Sequence, residues 1–249
     1  MAVCLWAELK KAHRRHDLPV ALGIGLLALA WASTMKLSDP VSLSYGYSML
    51  LYGLSIINAV VMPLSMAVLG SRLWDVEVRG SACKLLYTLQ SRDSLFGAKV
   101  ILGFAEVLAA PLLELGGVLL FGRVYCFTEP LSTAPLLWFF FCTLAVNALL
   151  FFFELMLSLL FENQIPALGC GVLFSMTGLF AMFMPPAFTR LLPWAYYAVT
   201  LAVGMVYDES TRISTFFPLP YPVWALALVV ALCGLVLFLG WRMVRGKEV

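Results

Sequence analysis

The sequence predicts an all-α integral membrane protein of six transmembrane helices, with both ends of the chain in the cytoplasm. Three observations predict it. The 249 residues are 62% hydrophobic and 12% charged, with a mean hydropathy of +0.95. Soluble domains carry about 25% charged residues, so lipid must solvate much of this surface. Six long apolar runs recur along the chain, at 18–35, 46–70, 100–122, 134–161, 165–187 and 222–241. A bilayer core of about 30 Å needs roughly 20 such residues per helix. Finally, the basic residues are asymmetric: Lys36, Arg123, Arg190 and Arg212 fall on one side of the membrane, and the other twelve of the 16 on the opposite side. Positive residues stay inside, so the N-terminus is placed in the cytoplasm, and an even number of spans returns the C-terminal Arg242, Arg245 and Lys247 there.

The elements follow in order. Residues 3–16 mix Leu5, Trp6 and Leu9 with Glu8, Lys10, Lys11, Arg14 and Arg15. This pattern reads as a short amphipathic helix lying on the inner membrane surface. The basic stretch followed by an apolar run and Ala30-Trp31-Ala32 has the look of a signal peptide. With five more apolar runs behind it, 18–35 reads instead as a retained first span. Between spans two and three lies the longest polar segment, 71–99, charged in both signs. Leu85, Leu86 and Leu89 gather on one side at helical spacing, with a break at Gly80 and a helix cap at Ser91. Spans four and five are separated by Glu162-Asn163-Gln164, enough for a tight turn. The stretch 188–215 is apolar but short and is broken by Pro193 just after Pro185 and Pro186. It reads as an interfacial or re-entrant broken hairpin on the outer side, before span six. The whole of 1–249 is expected to form a single transmembrane domain.

Soluble chemistry finds no foothold. The sequence has no G-x-x-x-x-G-K-[ST] phosphate loop, no H-E-x-x-H and no G-x-S-x-G. No catalytic residue and no metal site are expected. The two histidines, His13 and His16, sit in the N-terminal basic stretch, and the six cysteines are scattered without a C-x-x-C pair. A net charge of +2 gives no reason to expect nucleic acid as a partner. The conspicuous polar groups are instead inside the spans: Glu106 and Glu114 in the third and Glu154 in the fourth. Ionisable side chains at that depth are expensive and ask for a partner or a role. Glu106 and Glu154 fall at similar depth, about 10–12 Å from the inner helix ends at 1.5 Å per residue. They are expected to face the bundle, to approach each other and to share a proton. Asn58, Asn147, Ser or Thr would otherwise satisfy these acids by interhelical hydrogen bonds. The functional reading is a polar lining for a cationic amphipathic substrate, with the aromatic Trp194 and Tyr197 meeting it at the outer hairpin.

The segment from Glu77 to Lys99 reads E-x-x-G-x-x-x-K-L-L-x-x-x-Q-S-R, followed by Ala98-Lys99. It resembles the segment after the second span in permeases of ABC-2 type exporters, although the Glu77-to-Gly80 spacing is one residue short and Gln90 stands where Pro is common. Within that family the size, the aromatic-rich spans and the lack of a large outer domain are most similar to lantibiotic-immunity (nisin-type) and bacitracin-type permeases. The resemblance implies a coupling helix that docks on a separate ATPase, with Glu77, Arg79, Gly80, Lys84, Leu85, Leu86 and Arg92 as contact residues. It implies two ATPase copies carrying ATP and Mg, and a second permease chain, the same or related. It implies an amphipathic peptide as substrate, an antimicrobial one for self-protection, and a bacterial cytoplasmic membrane as the location. This chain would hold no cofactor and would not itself be an enzyme. Other classes stay open: a secondary transporter or channel using the intramembrane carboxylates, a membrane-embedded enzyme, or an ABC-2 exporter of a drug, haem or glycan.

Overall fold

The computed structural model describes residues 2–35, 40–79, 89–161, 163, 165–181, 183–210 and 212–246, without the side chains of Ala2, Val41 and 75–79. The chain is mostly helical. An amphipathic α1 (Ala2–Arg15) leads into α2 (Asp17–Ala32), a short α3 (Pro40–Leu43) and the long α4 (Gly46–Arg79). Then come α5 (Arg92–Val124), α6 (Thr133–Leu160) and α7 (Ile165–Ala181). Two short turns of helix, α8 (Pro186–Thr189) and α9 (Tyr196–Val199), precede a β-hairpin and α10 (Val223–Gly246).

Four of these helices are long and apolar enough to cross a membrane: α4, α5, α6 and α10. The other two predicted spans appear as shorter apolar helices, α2 with 16 residues and α7 with 17. Their ends have local causes. After Ala32 the side chains of Ser33 and Thr34 turn back to bond the carbonyls of Ala30 and Trp31, at 2.6 and 2.7 Å. α7 stops at Ala181, ahead of Pro185 and Pro186, whose rings cannot continue a helical ladder. α5, by contrast, begins eight residues earlier than its apolar run, because Ser91 caps it. The Ser91 hydroxyl accepts from the Ser94 N–H at 3.3 Å. The first turn of α4 is capped from a distance. Glu129, in the α5–α6 loop, accepts from the Ser48 N–H at 3.0 Å and from its hydroxyl at 2.5 Å.

The all-α expectation needs one correction. Val203–Asp208 (β1) and Ile213–Pro218 (β2) pair antiparallel, with Val203 opposite Pro218 and Asp208 opposite Ile213. β-branched and aromatic residues on both sides of a short polar turn favour this ribbon. It stays in place because Phe216 packs on Tyr52 and Tyr45, with ring centroids 5.9 and 6.2 Å away.

α4 is the centre of the bundle and touches α2, α5, α6, α7 and α9. α2 lies on α5 and α4, while α10 packs against α6 and α5 and leaves most of its surface outward. Close approach relies on small residues, as expected of helices packed in lipid. A Cβ added at Gly70 of α4 would lie 3.0 Å from the Glu154 Cβ and 3.1 Å from the Leu155 nitrogen of α6. Two apolar clusters fill the bundle. One, around Met66, Leu73, Trp74 and Phe151, occupies the end where α4 leaves and α5 enters; the other, around Leu50, Leu54, Val118 and Val203, lies toward the hairpin.

Candidate functional site

Two sets of polar residues stand out, one at the end of the bundle where α4 and α5 flank the polar segment, the other within the spans. The first begins with α1. This helix turns Val3, Trp6 and Leu9 outward and buries Cys4 and Glu8 against the bundle. That arrangement suits a helix lying in the membrane surface. Glu8 meets Lys99 of α5 at 3.1 Å and Lys11 at 2.6 Å. Lys99 is fully buried, although it is a lysine. Its ammonium also donates to the Leu73 carbonyl of α4 at 2.7 Å and lies 5.1 Å from the centre of the Trp74 ring. A buried charge is tolerable only when paired and hydrogen-bonded, and this one is both. Burial pushes the Glu8 carboxyl up, but the Lys99 and Lys11 ammonium groups outweigh it and hold Glu8 below the usual carboxylate range.

A second knot lies beside the first. Arg15 donates to Asp17 at 2.7 Å, and Arg72 of α4 approaches the same carboxylate at 3.4 Å. Arg15 reaches the Arg72 and Leu73 carbonyls at 3.4 and 3.5 Å, and the Arg72 guanidinium donates to the Arg15 carbonyl. Four helices are thereby joined at this end of the bundle: α1, the start of α2, the departing end of α4 and the entering turns of α5. The chain between those last two is the predicted coupling segment.

Of the residues expected to contact an ATPase, Gly80, Lys84, Leu85 and Leu86 lie outside the described residues. Glu77 and Arg79 are on the last turn of α4, with their side chains outside the description. Arg92 opens α5 and donates to the Arg245 carbonyl of α10 at 2.8 Å. Its neighbour Asp93 receives Arg245 at 2.5 and 2.8 Å and the Trp241 indole at 2.9 Å. Arg92 therefore helps to fasten α10 to α5. Leu89 is exposed, as a docking residue would be.

Within the spans, Asn58 of α4 donates to Glu114 of α5 at 3.0 Å, both buried. The Tyr197 hydroxyl of α9 donates to Asn147 of α6, whose amide nitrogen is 3.8 Å from the Met62 sulfur. The expected pairing of acids with Asn58 and Asn147 thus holds for Glu114 and not for the others. Glu106 and Glu154 are buried, as expected of groups that avoid lipid, but no hydrogen bond joins them. Glu154 is pressed against Gly70. Neither carboxylate has a hydrogen-bond partner among the described residues. Trp194 stacks on Phe174 of α7, with centroids 4.1 Å apart and rings 12° from parallel, and Tyr197 is buried. Both pack within the bundle, Trp194 half-buried and Tyr197 fully buried. Among the described residues no cluster of His, Cys, Asp and Glu could hold a metal ion.

Sequence reasoning missed the partnership of Glu8 with Lys99, 91 positions away, and that of Asp17 with Arg72. The available signal was Glu8 on the face of α1 opposite Trp6, together with a lysine followed at once by an apolar run.

A bundle with four helices long and apolar enough to cross a membrane, joined by buried polar pairs, has the build of a multi-pass membrane protein. Residues 4–178, from α1 into α7, match the family described as ABC-2 family transporter protein, and the chain belongs to that family. No match is found among curated proteins. Membership implies a multi-pass transport subunit that associates with an ABC ATPase.

Proposed function

We propose that this chain is the permease subunit of an ATP-driven exporter that removes an amphipathic compound from the membrane. One observation supports it beyond family membership. The two helices that bracket residues 80–88 are tied to each other and to α1 by the buried Glu8–Lys99–Leu73 joint. A force applied to that segment is passed into α4 and α5 together, because a buried ion pair and a backbone carbonyl leave little slack. A permease without a phosphate loop must receive work through such a surface. ATP and Mg are then bound by a separate ATPase, present in two copies, and a second permease chain, identical or related, completes the pore. The basic-residue asymmetry favours a six-span, N-in/C-in topology, with α2 and α7 as the short spans, and the family resemblance favours a bacterial cytoplasmic membrane. An antimicrobial peptide of the lantibiotic or bacitracin type is the cargo that the sequence resemblance favours.

The test is co-purification with the ATPase, with ATP hydrolysis and cell resistance measured in parallel. Leu86→Asp puts a charge into the Leu85-Leu86 apolar pair of the segment that the family resemblance gives as the docking helix. The expected result is a chain that still inserts but no longer responds to ATP hydrolysis. Unchanged ATPase association and unchanged resistance would sink the reading. Glu106 and Glu154, buried without hydrogen-bond partners, favour one other reading, a proton-driven transporter. Transport that survives ATP depletion but stops when the proton gradient is collapsed would select it.

A further inference from the structure

At the hairpin end of the bundle two cavities open side by side on one face of α4. One, an open cleft of about 670 Å³, is lined by Met49, Met205 and Phe216 among others; the other, also open and of about 470 Å³, is lined by Pro222 and Trp224 among others. They share Tyr52 and Ile56, so the floor is continuous, and volumes of this size hold small amphiphiles. The lining is mostly apolar, with Ser42 and Ser214 in the first cavity and Thr189 in the second, and each cavity carries one arginine, Arg212 in the first and Arg190 in the second.

No carboxylate lines either cavity among the described residues. Of the nearby described acids, Glu209 makes no ion pair with either arginine, and the other two are engaged elsewhere. Asp208 accepts from the Ser210 N–H and hydroxyl at 2.9 and 2.7 Å within the hairpin turn, and Glu129 caps α4. Arg212 is exposed and makes no hydrogen bond or ion pair with a described residue. Arg190 is exposed too, with its guanidinium 5.3 Å from the centre of the Trp224 ring. Its backbone is held because its carbonyl accepts from the Tyr196 hydroxyl at 2.9 Å. A guanidinium laid over an indole keeps its N–H fork open, and that fork matches a phosphate.

We propose that this cleft binds an anionic phospholipid, with its phosphate at the arginine rim and an acyl chain over Tyr52 and Ile56. Charge complementarity selects the occupant. A cationic peptide would meet two uncompensated positive charges, and a neutral lipid would leave both arginines unpaired against an apolar wall. The site does not depend on the exporter reading, because binding is measured without nucleotide or partner.

The full chain, purified and stripped of lipid, is titrated with dioleoyl phosphatidylglycerol or dioleoyl phosphatidylcholine and followed by native mass spectrometry. The expected result is saturable binding with about a tenfold preference for phosphatidylglycerol, the scale of one or two charge-assisted hydrogen bonds. Arg190→Gln and Arg212→Gln should each reduce that preference, and the double variant should abolish it. Arg123→Gln, an exposed arginine that lines neither cavity, should leave it intact. Inorganic phosphate should not compete, since the acyl chain supplies the apolar contact. The site is overturned if the wild type shows no preference, if the double variant keeps it, or if inorganic phosphate displaces the lipid. It is also overturned if a cross-linked dimer excludes the lipid, which would make a second copy of the chain the occupant.

Discussion

Lys99 shows how a single residue decides the local structure. Taking its ammonium out of water is costly, and Glu8, the Leu73 carbonyl and the Trp74 ring help make it tolerable. Lys99→Ala removes one of the two ammonium groups on buried Glu8 and leaves Lys11, and should cost about 1–3 kcal/mol in thermal or denaturant unfolding in detergent. The double variant Glu8→Leu/Lys99→Met, which removes both charges, should recover most of that loss. The pH dependence follows from the lowered carboxyl of Glu8. Its contribution is complete above the ordinary glutamate value of 4.5 and is lost as pH falls through the lower folded value. Stability should therefore fall in acid more steeply for the wild type than for the double variant. Glycines make a second residue-scale test. A Cβ at Gly103 would lie 2.1 Å from the Phe151 ring, which is wholly buried and cannot swing aside. Gly103→Ala should cost about 1–3 kcal/mol by overpacking. Gly116, on the same helix, has nothing within 4 Å of such a Cβ, so Gly116→Ala should be neutral or stabilising in the same assay.

At the scale of elements, the ends of helices were legible in the sequence only where the cause is local. Ser91 reads as a cap because the partner N–H lies three residues on. Glu129 as the cap of α4 cannot be read that way, since it comes from a loop 81 residues from Ser48. Glu129→Ala should release the first turn of α4 at a cost of about 1 kcal/mol. Hydrogen exchange should show faster amides near Ser48 and unchanged protection in the middle of α4. The hairpin illustrates a different failure. Its strands are six residues each, and an apolar stretch that short carries no period that separates a strand from a broken helix. Packing of Phe216 on Tyr45 and Tyr52 makes the strand conformation favourable.

For the whole molecule, the asymmetry of basic residues predicts which end faces the cytoplasm, and the hairpin end should face outward. Cys126, exposed in the α5–α6 loop, supplies the test. A membrane-impermeant maleimide added to intact cells should label Cys126 and should not label Cys83, which lies in the segment between α4 and α5. The reverse pattern would invert the bundle and move the arginine-rimmed cleft to the inner leaflet. The same orientation places the Lys99 joint on the side where an ATPase works.

Composition and periodicity by themselves determined that this chain belongs in a membrane, where its apolar runs lie, and that its polar segment lies between α4 and α5. Those properties depend on neighbours in sequence and on the cost of transferring each side chain into hydrocarbon, so they can be added up residue by residue. The motif from Glu77 to Lys99 likewise carried the family, because its spacing is local. What only the tertiary structure decided was the set of partners: Glu8 with Lys99, Asn58 with Glu114, Tyr197 with Asn147, and Glu106 and Glu154 with no hydrogen-bond partner among the described residues. A buried polar group takes whichever partner the packing of distant helices brings within about 3 Å, and that distance is a property of the bundle, not of the chain around it.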